Sequence, residues 1–401
     1  MRVTVVTTSF PLAPGSSSGA FVEQLMRALA TEVAATVLTP CTTRRLQPQQ
    51  GAGYGLRCFR YAPRRWQRLA HRPGGIPVAL AESKLAYALL PPFLLGLLLA
   101  CVRSARGSDL VHANWSVSGV LAGLAGRLTR TPVIVTLRGE DTARMSTSRL
   151  HHALVGWCLR LCDGTVAVSR AMRDRLTAQF PALEHRIHWI PNGVDEALLV
   201  LPPRAAAEDP PAEFEILTVG SLIPRKRVED ILSALAVLRG RVPARLTVVG
   251  DGAGRERLRR LTRELGVSDL VRFAGAVAPD EVGGYLAGAD ALVLASASEG
   301  RPNVVVEALA AAVPVVATRI DGVEEMIRDG ETGLLFEVGD TRALAERLER
   351  LFEDPPLRRR LAEAGRGFVL EHELDWDGTA ARYLRLYRRA VAARDRGARS
   401  P

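Results

Sequence analysis

The stretch Ala295–Thr318, ASASEGRPNVVVEALAAAVPVVAT, decides the fold. It follows one apolar run, Ala291 to Ala295, and closes on another, Pro314 to Thr318. Short runs without alternation, bounded by turn residues, read as strands buried on both faces of a parallel sheet. Between them lie a Gly/Pro loop and an Ala/Val-rich helix, with Pro302 ending the loop and Asn303 as N-cap. The first N–H groups of that helix, near Asn303 and Val304, lack helical partners and sit at the positive end of the dipole. That is an anion site suited to a diphosphate. Glu299 in the loop and Glu307 one turn into the helix flank it. A carboxylate beside a diphosphate accepts both hydroxyls of a ribose, and one in the loop accepts sugar hydroxyls. A lone Glu in either place is ordinarily just solvated, so the spacing and context carry the reading.

The pattern S-x-S-E-G-x-P-N-x-x-x-E-A-x-A-x-x-x-P-V-V-A-T, read from Ser296 to Thr318, resembles the signature of the family 4 retaining glycosyltransferases. The resemblance implies the GT-B fold, an α/β architecture of two Rossmann-like domains facing each other across a cleft. It implies that Glu307 holds the donor ribose and that Glu299 contacts the transferred sugar. It also implies that Gly300, Arg301, Pro302, Asn303 and Val304 line the donor site. The family usually has Gly where this chain has Ala312; the added methyl is expected to tighten packing without changing the chemistry.

At 401 residues the chain exceeds what one core usually holds, so two domains are expected. Charge divides them. Residues 1–200 carry 23 Lys and Arg against 11 Asp and Glu, a net +12; the remainder carries 30 against 32, a net −2. The basic half suggests an anionic partner: membrane phospholipid, nucleic acid or a phosphorylated acceptor. Only Lys84 and Lys226 are lysines, against 51 Arg, so each surviving Lys is informative. The five cysteines, Cys41, Cys58, Cys101, Cys158 and Cys162, form no C-x-x-C and have no His at metal-ligand spacing. They read as small buried hydrophobes of a reducing compartment. The N-terminus reads as a strand without the longer apolar core of a signal peptide, and a cytoplasmic location is expected.

In the basic half, the strand Arg2–Thr8, the Ser/Gly/Pro loop to Ala20 and the helix Phe21–Ala30 open a Rossmann-like unit. Gly19, at the helix entry, is either ligand-facing or a plain turn residue. There is no G-x-G-x-x-G. Residues 42–77 are expected to be irregular and basic, a solvated loop or a surface for anionic headgroups. Leu85 to Val102 is uncharged over 18 residues. Pro91-Pro92 is expected to split it, and it reads as a half-buried helix, a membrane-seated one or a span. His112-Ala113-Asn114-Trp115 resembles the family's His-x-His-Trp, with Asn114 for the second His. Thr136-Leu137-Arg138-Gly139-Glu140-Asp141 places Arg138 where many members have His; a fixed cation cannot shuttle a proton but can hold phosphate or sugar oxygen. The run Pro191-Asn192-Gly193 resembles the family's turn before the interdomain linker.

In the neutral half, Phe214–Val219 is a strand followed by Gly220-Ser221-Leu222-Ile223-Pro224-Arg225-Lys226. The carboxyl end of such a strand is where open α/β sheets bind ligands, and adjacent cations suit a departing diphosphate. The family pattern is Gly-Arg-Leu-x-x-x-Lys. Lys226 matches its Lys, Ser221 replaces its Arg, and Arg225 is the candidate replacement charge. Gly250-Asp251-Gly252 should lie beneath the nucleotide and the loop with Val277 beside its base. Asp321-Gly322 stands where Gly-Gly is common.

The expected domains are 1–200, acceptor-side and basic; 201–213, linker; 214–375, nucleotide-sugar-binding; and 376–401, a helix returning to the first domain. The expected activity is transfer of a sugar from a nucleotide-diphosphate sugar, as co-substrate, with retention and without metal or other cofactor. The catalytic set is Glu299, Lys226, Arg225 and Arg138; the donor set adds Gly19, Gly220, Ser221, Gly250 and Val277. The acceptor is a sugar, lipid-linked or small molecule; an anionic membrane surface is a further expected partner and nucleic acid is not. The chain is expected to be cytoplasmic, peripheral at the inner face of the membrane. The alternatives are a nucleotide-sugar epimerase of the same fold, a nicotinamide-dependent oxidoreductase and a catalytically weak partner subunit.

Overall fold

The computed structural model describes residues 1–12, 18–42, 53–71, 76, 79–80, 83–143, 145, 147–204 and 211–399. Its contacts divide the chain into two units, Met1–Asn192 with Trp376–Pro401, and Gly193–Asp375.

The first unit is built on seven strands: β1 (Arg2–Val6), β2 (Ala34–Pro40), β3 (Gly55–Phe59), β4 (Leu110–Asn114), β5 (Val133–Leu137), β6 (Gly164–Ala167) and β7 (Ile187–Trp189). Their order is β3-β2-β1-β4-β5-β6-β7, and every pairing is parallel. Strand β4 is buried at all five positions and β5 likewise, as a sheet covered on both faces requires. One covering layer contains the helices Lys84–Ala105, Ser116–Thr129 and Arg149–Leu161, which share a core with Val111, Val133 and Val135. The other contains the helix Ala20–Leu29 and the helix Trp376–Arg399, which bury Val22, Met26, Tyr383 and Tyr387 against Val3, Val5 and Ile134.

The second unit holds β8 (Phe214–Val219), β9 (Ala244–Val249), β10 (Val271–Gly275), β11 (Ala291–Leu294), β12 (Val315–Thr318) and β13 (Leu334–Phe336). The order is β10-β9-β8-β11-β12-β13, again all parallel. Leu198 is buried in this unit's core beside Leu217 and Val249, so residues 193–200 group here rather than with the first unit.

Three expectations are corrected. Residues 42–77 are not irregular throughout: β3 pairs with β2 in register Pro40↔Phe59, and a 3-10 turn follows at Arg64–Trp66. That pairing brings Cys58 beside the end of β2, where it is disulfide-bonded to Cys41. Only Cys101, Cys158 and Cys162 are buried free thiols, so the reduced-compartment reading loses the support of two cysteines. Pro91 and Pro92 do not split their segment; one helix runs from Lys84 to Ala105 through both. Adjacent prolines in a helix forgo backbone donors, and here both are exposed, where water satisfies the carbonyls they leave.

Candidate active site

In each sheet the chain order reverses once, between β1 and β4 and between β8 and β11, and the loops leaving those strands diverge to open a crevice. In the second unit the two loops at this point are Gly220–Arg227, after β8, and Ala295–Pro302, after β11. They are tied together by the Ala297 N–H donating to the Arg225 carbonyl at 2.9 Å.

That tie sets three side chains against one another. Lys226 Nζ donates to Glu299 Oε1 at 2.6 Å, and Arg225 Nη1 donates to Oε2 at 2.9 Å and to the Ser298 carbonyl at 2.6 Å. The Glu299 side chain is 9% exposed. Burial alone would raise its carboxyl; Lys226, then Arg225, outweigh that and hold it below the ordinary carboxylate range. One carboxylate and two cations leave this cluster with a net positive charge.

Beneath it, the backbone packs at closest approach. Gly250 has φ +135°, and a Cβ there would strike the Gly220 carbonyl. The Leu222 N–H donates to the Asp251 carbonyl at 3.0 Å, and the Gly254 N–H to the Leu222 carbonyl at 2.9 Å. Gly220, Ser221, Leu222, Lys226, Val249, Leu294 and Ala295 line a common hollow. The helix Asn303–Ala310 starts one residue earlier than expected: Pro302 holds the N-cap position and Asn303 is the first helical residue. Val304 follows it in the first turn, and Glu307, on the same helix, has its carboxyl pushed up to about 7 by burial.

Other residues named from the sequence have partners of their own. Arg301 is buried in an ion pair with Glu325 at 2.9 Å. Gly300 lies against Gly322, whose missing side chain leaves room for the Gly300 and Glu299 carbonyls at 2.8 and 2.7 Å from a Cβ. Val277 packs at the margin of the apolar cluster that includes Leu286 and Val249.

Gly19 and Arg138 belong to the first unit, at its own reversal point. Gly19 has φ +72°, and a side chain there would strike the Ser9 carbonyl, so a turn demands glycine whatever else the residue does. Arg138 donates to Asn192 Oδ1 at 2.9 Å and to Asn114 Oδ1 at 3.0 Å, and its guanidinium lies 3.8 Å from the centroid of the Phe21 ring. Asp141 does not pair with that guanidinium; it accepts from the Arg138 N–H at 2.9 Å and from the Ser116 hydroxyl at 2.6 Å. Burial lowers the Arg138 pKa to about 10, which leaves it a cation at neutral pH. His112 is buried, its nitrogens 2.8 Å from Thr136 Oγ1 and 2.6 Å from Tyr387 Oη, and burial, with Arg138 nearby, lowers it to about 3. It is a neutral structural residue. Trp115, φ +67°, occupies a conformation rare for a bulky side chain and stacks edge-on to Phe21. Trp115 belongs to the run His112–Trp115 quoted from the sequence, but Phe21 falls in no motif, and nothing local announces that its ring meets both Trp115 and the Arg138 guanidinium.

Two family models match the chain: one described as Glycosyl transferases group 1 over residues 204–368, the other as Glycosyltransferase Family 4 over residues 18–198. A glycogen synthase of Mycobacterium tuberculosis (strain ATCC 25618 / H37Rv) is 33% identical over 301 residues, 73% of this chain and 70% of that protein. Sucrose-phosphate synthase from Thermosynechococcus elongatus has a TM-score of 0.79 at 24% identity, covering 98% of this chain and 100% of that one. Anabaena HepE in complex with UDP-glucose has a TM-score of 0.72 at 19% identity, covering 96% and 99%. At those identities the two structures speak to the fold.

Proposed function

The chain belongs to the family 4 glycosyltransferases and has the GT-B fold, and from that premise we propose that it transfers a sugar from a nucleotide-diphosphate sugar with retention at the anomeric carbon. The observation that carries the proposal is the cluster of Lys226 and Arg225 on Glu299 at the β8/β11 reversal, with the start of the helix Asn303–Ala310 on the loop that follows β11.

In this reading the diphosphate seats against the helix N-terminus and the two cations. Arg225 stands in for the charge that Ser221 lacks. As the bond from the anomeric carbon to the β-phosphate oxygen breaks, negative charge grows on that oxygen, and Lys226 and Arg225 stabilise it more than they stabilise the intact donor. The acceptor oxygen bonds to the anomeric carbon on the same face, and its proton passes to the departing phosphate. Glu307 accepts from the ribose hydroxyls and Glu299 from the sugar. Lys226 and Arg225 supply the neutralisation that a metal supplies elsewhere, so metal independence is part of the proposal.

A thermal-shift screen of nucleoside diphosphates and their sugars identifies the base and sugar. Proton NMR of the product then reads the anomeric configuration, with and without chelator. Inverted product, or activity lost on chelation, overturns the corresponding part. Turnover of donor to an epimer without any acceptor overturns transfer itself.

A further inference from the structure

The helices Lys84–Ala105, Ser116–Thr129 and Arg149–Leu161 lie side by side in one layer of the first unit. The inward side of the first is fully buried, with Phe93, Leu97 and Cys101 at 0% exposure. The outward side of the layer is apolar: Leu95 is 58% exposed, Leu128 74%, Leu150 72% and Trp157 56%. Exposed cations stand among these residues, at Lys84, Arg103, Arg127, Arg149 and Arg160. None of the three helices contains an Asp or a Glu. In the second unit, by contrast, surface arginines have carboxylate partners, as Arg241 has Glu349 and Arg255 has Asp251. The cationic border continues past the layer. Gly96 abuts the Arg60 carbonyl, and Phe59 lies 5.5 Å from Phe93, which places the exposed Arg57 and Arg60 beside the same helix.

An apolar field edged by cations and devoid of carboxylates complements one surface above others: acyl chains beneath anionic headgroups. A second copy fits poorly, because a two-fold contact would set the same cations against each other. The helix Lys84–Ala105 is long and apolar enough to cross a bilayer. Crossing would strip Phe93, Leu97 and Cys101 from the core they fill; lying in the interface keeps that core and covers the outward leucines. We propose that this face of the first unit docks on an anionic lipid bilayer, with the leucines and Trp157 at the acyl boundary and the cations on lipid phosphates.

The test is vesicle flotation of the full chain, using phosphatidylcholine alone and phosphatidylcholine mixed with phosphatidylglycerol. Binding is expected to the mixed vesicles and to fall as salt rises. Two double variants, L95E/L128E and R103E/R149E, are each expected to lower partitioning about tenfold or more, with thermal midpoint and nucleoside-diphosphate binding unchanged. If the leucine variant fails to fold, the arginine variant and the salt series decide. No flotation, equal flotation on neutral vesicles, or variants that float like the parent overturns the proposal. So does a concentration-dependent dimer in sedimentation that the leucine variant abolishes. Sugar transfer without flotation overturns this proposal alone; flotation without transfer leaves it standing and overturns the donor reading instead.

Discussion

Lys226 and Glu299 are 73 residues apart in the chain and 2.6 Å apart in the molecule. The scarcity of lysine singles out Lys226, and a motif singles out Glu299, yet nothing local says they touch; that follows from the β8/β11 neighbourhood. The proposed role makes Lys226→Ala lower kcat about a hundredfold while donor Kd moves much less, because the charge it answers grows only as the phosphate departs. Steady-state kinetics beside calorimetric donor titration checks this, and near-parent kcat sinks the role. Glu307 carries a pH prediction. Its folded pKa is raised, to about 7, so its contribution to stability is full below its unfolded value and is lost as pH rises through about 7. Only the carboxylate accepts from both ribose hydroxyls, so nucleoside-diphosphate affinity should rise over the same interval. Calorimetric titration across about pH 6 to about pH 8 should show it, and Glu307→Gln should flatten the dependence. Arg138 and Asn114 teach a related lesson. Each departs from the resembled pattern, and the structure joins them by a 3.0 Å hydrogen bond, so they are one change and not two.

At the scale of elements, the helix Asn303–Ala310 shows what a pattern reveals and what it hides. Its existence is plain from Ala/Val content between two buried strands. Its end is not. Val313 N–H donates to the Ala308 carbonyl at 2.8 Å and Ala312 N–H to the Leu309 carbonyl at 3.1 Å, closing a Schellman motif with Ala312 at the left-handed position, φ +53°. The cost of alanine there is conformational, not the tighter packing expected from a methyl. Ala312→Gly should therefore stabilise the protein by about 1 kcal/mol, read as a higher urea midpoint at unchanged slope. The strand Phe214–Val219 is legible to the residue because a hydrophobic run there meets clear turn signals. Strand β3, Gly-Leu-Arg-Cys-Phe, is mostly exposed at the sheet edge and has no apolar run to announce it. The helix Pro355–Glu371 has no such signal, because its arginines mask the buried stripe of Leu357, Leu361 and Val369. Arg358 itself is 0% exposed.

The whole molecule is a chain that leaves one unit, completes another and comes back. Gly193–Asp375 is continuous; the first unit is not, since it includes Trp376–Pro401. Excised, residues 193–375 should give a cooperative thermal transition and retain nucleoside-diphosphate binding. Residues 1–192 alone should not melt cooperatively, because Val3, Val5 and Ile134 would lie open where Tyr383 and Tyr387 cover them. Calorimetry of the two fragments decides; a sharp transition from 1–192 refutes the dependence.

That return has a price in time. During synthesis the strands β1 to β7 leave the ribosome long before the helix Trp376–Arg399 does. Until it arrives, His112 lacks Tyr387 and Thr136 lacks Tyr383, and an oily sheet face waits uncovered. A nascent chain in that interval is a natural client for chaperones, and a message cut short before codon 376 would yield a product marked for degradation rather than a half-working enzyme.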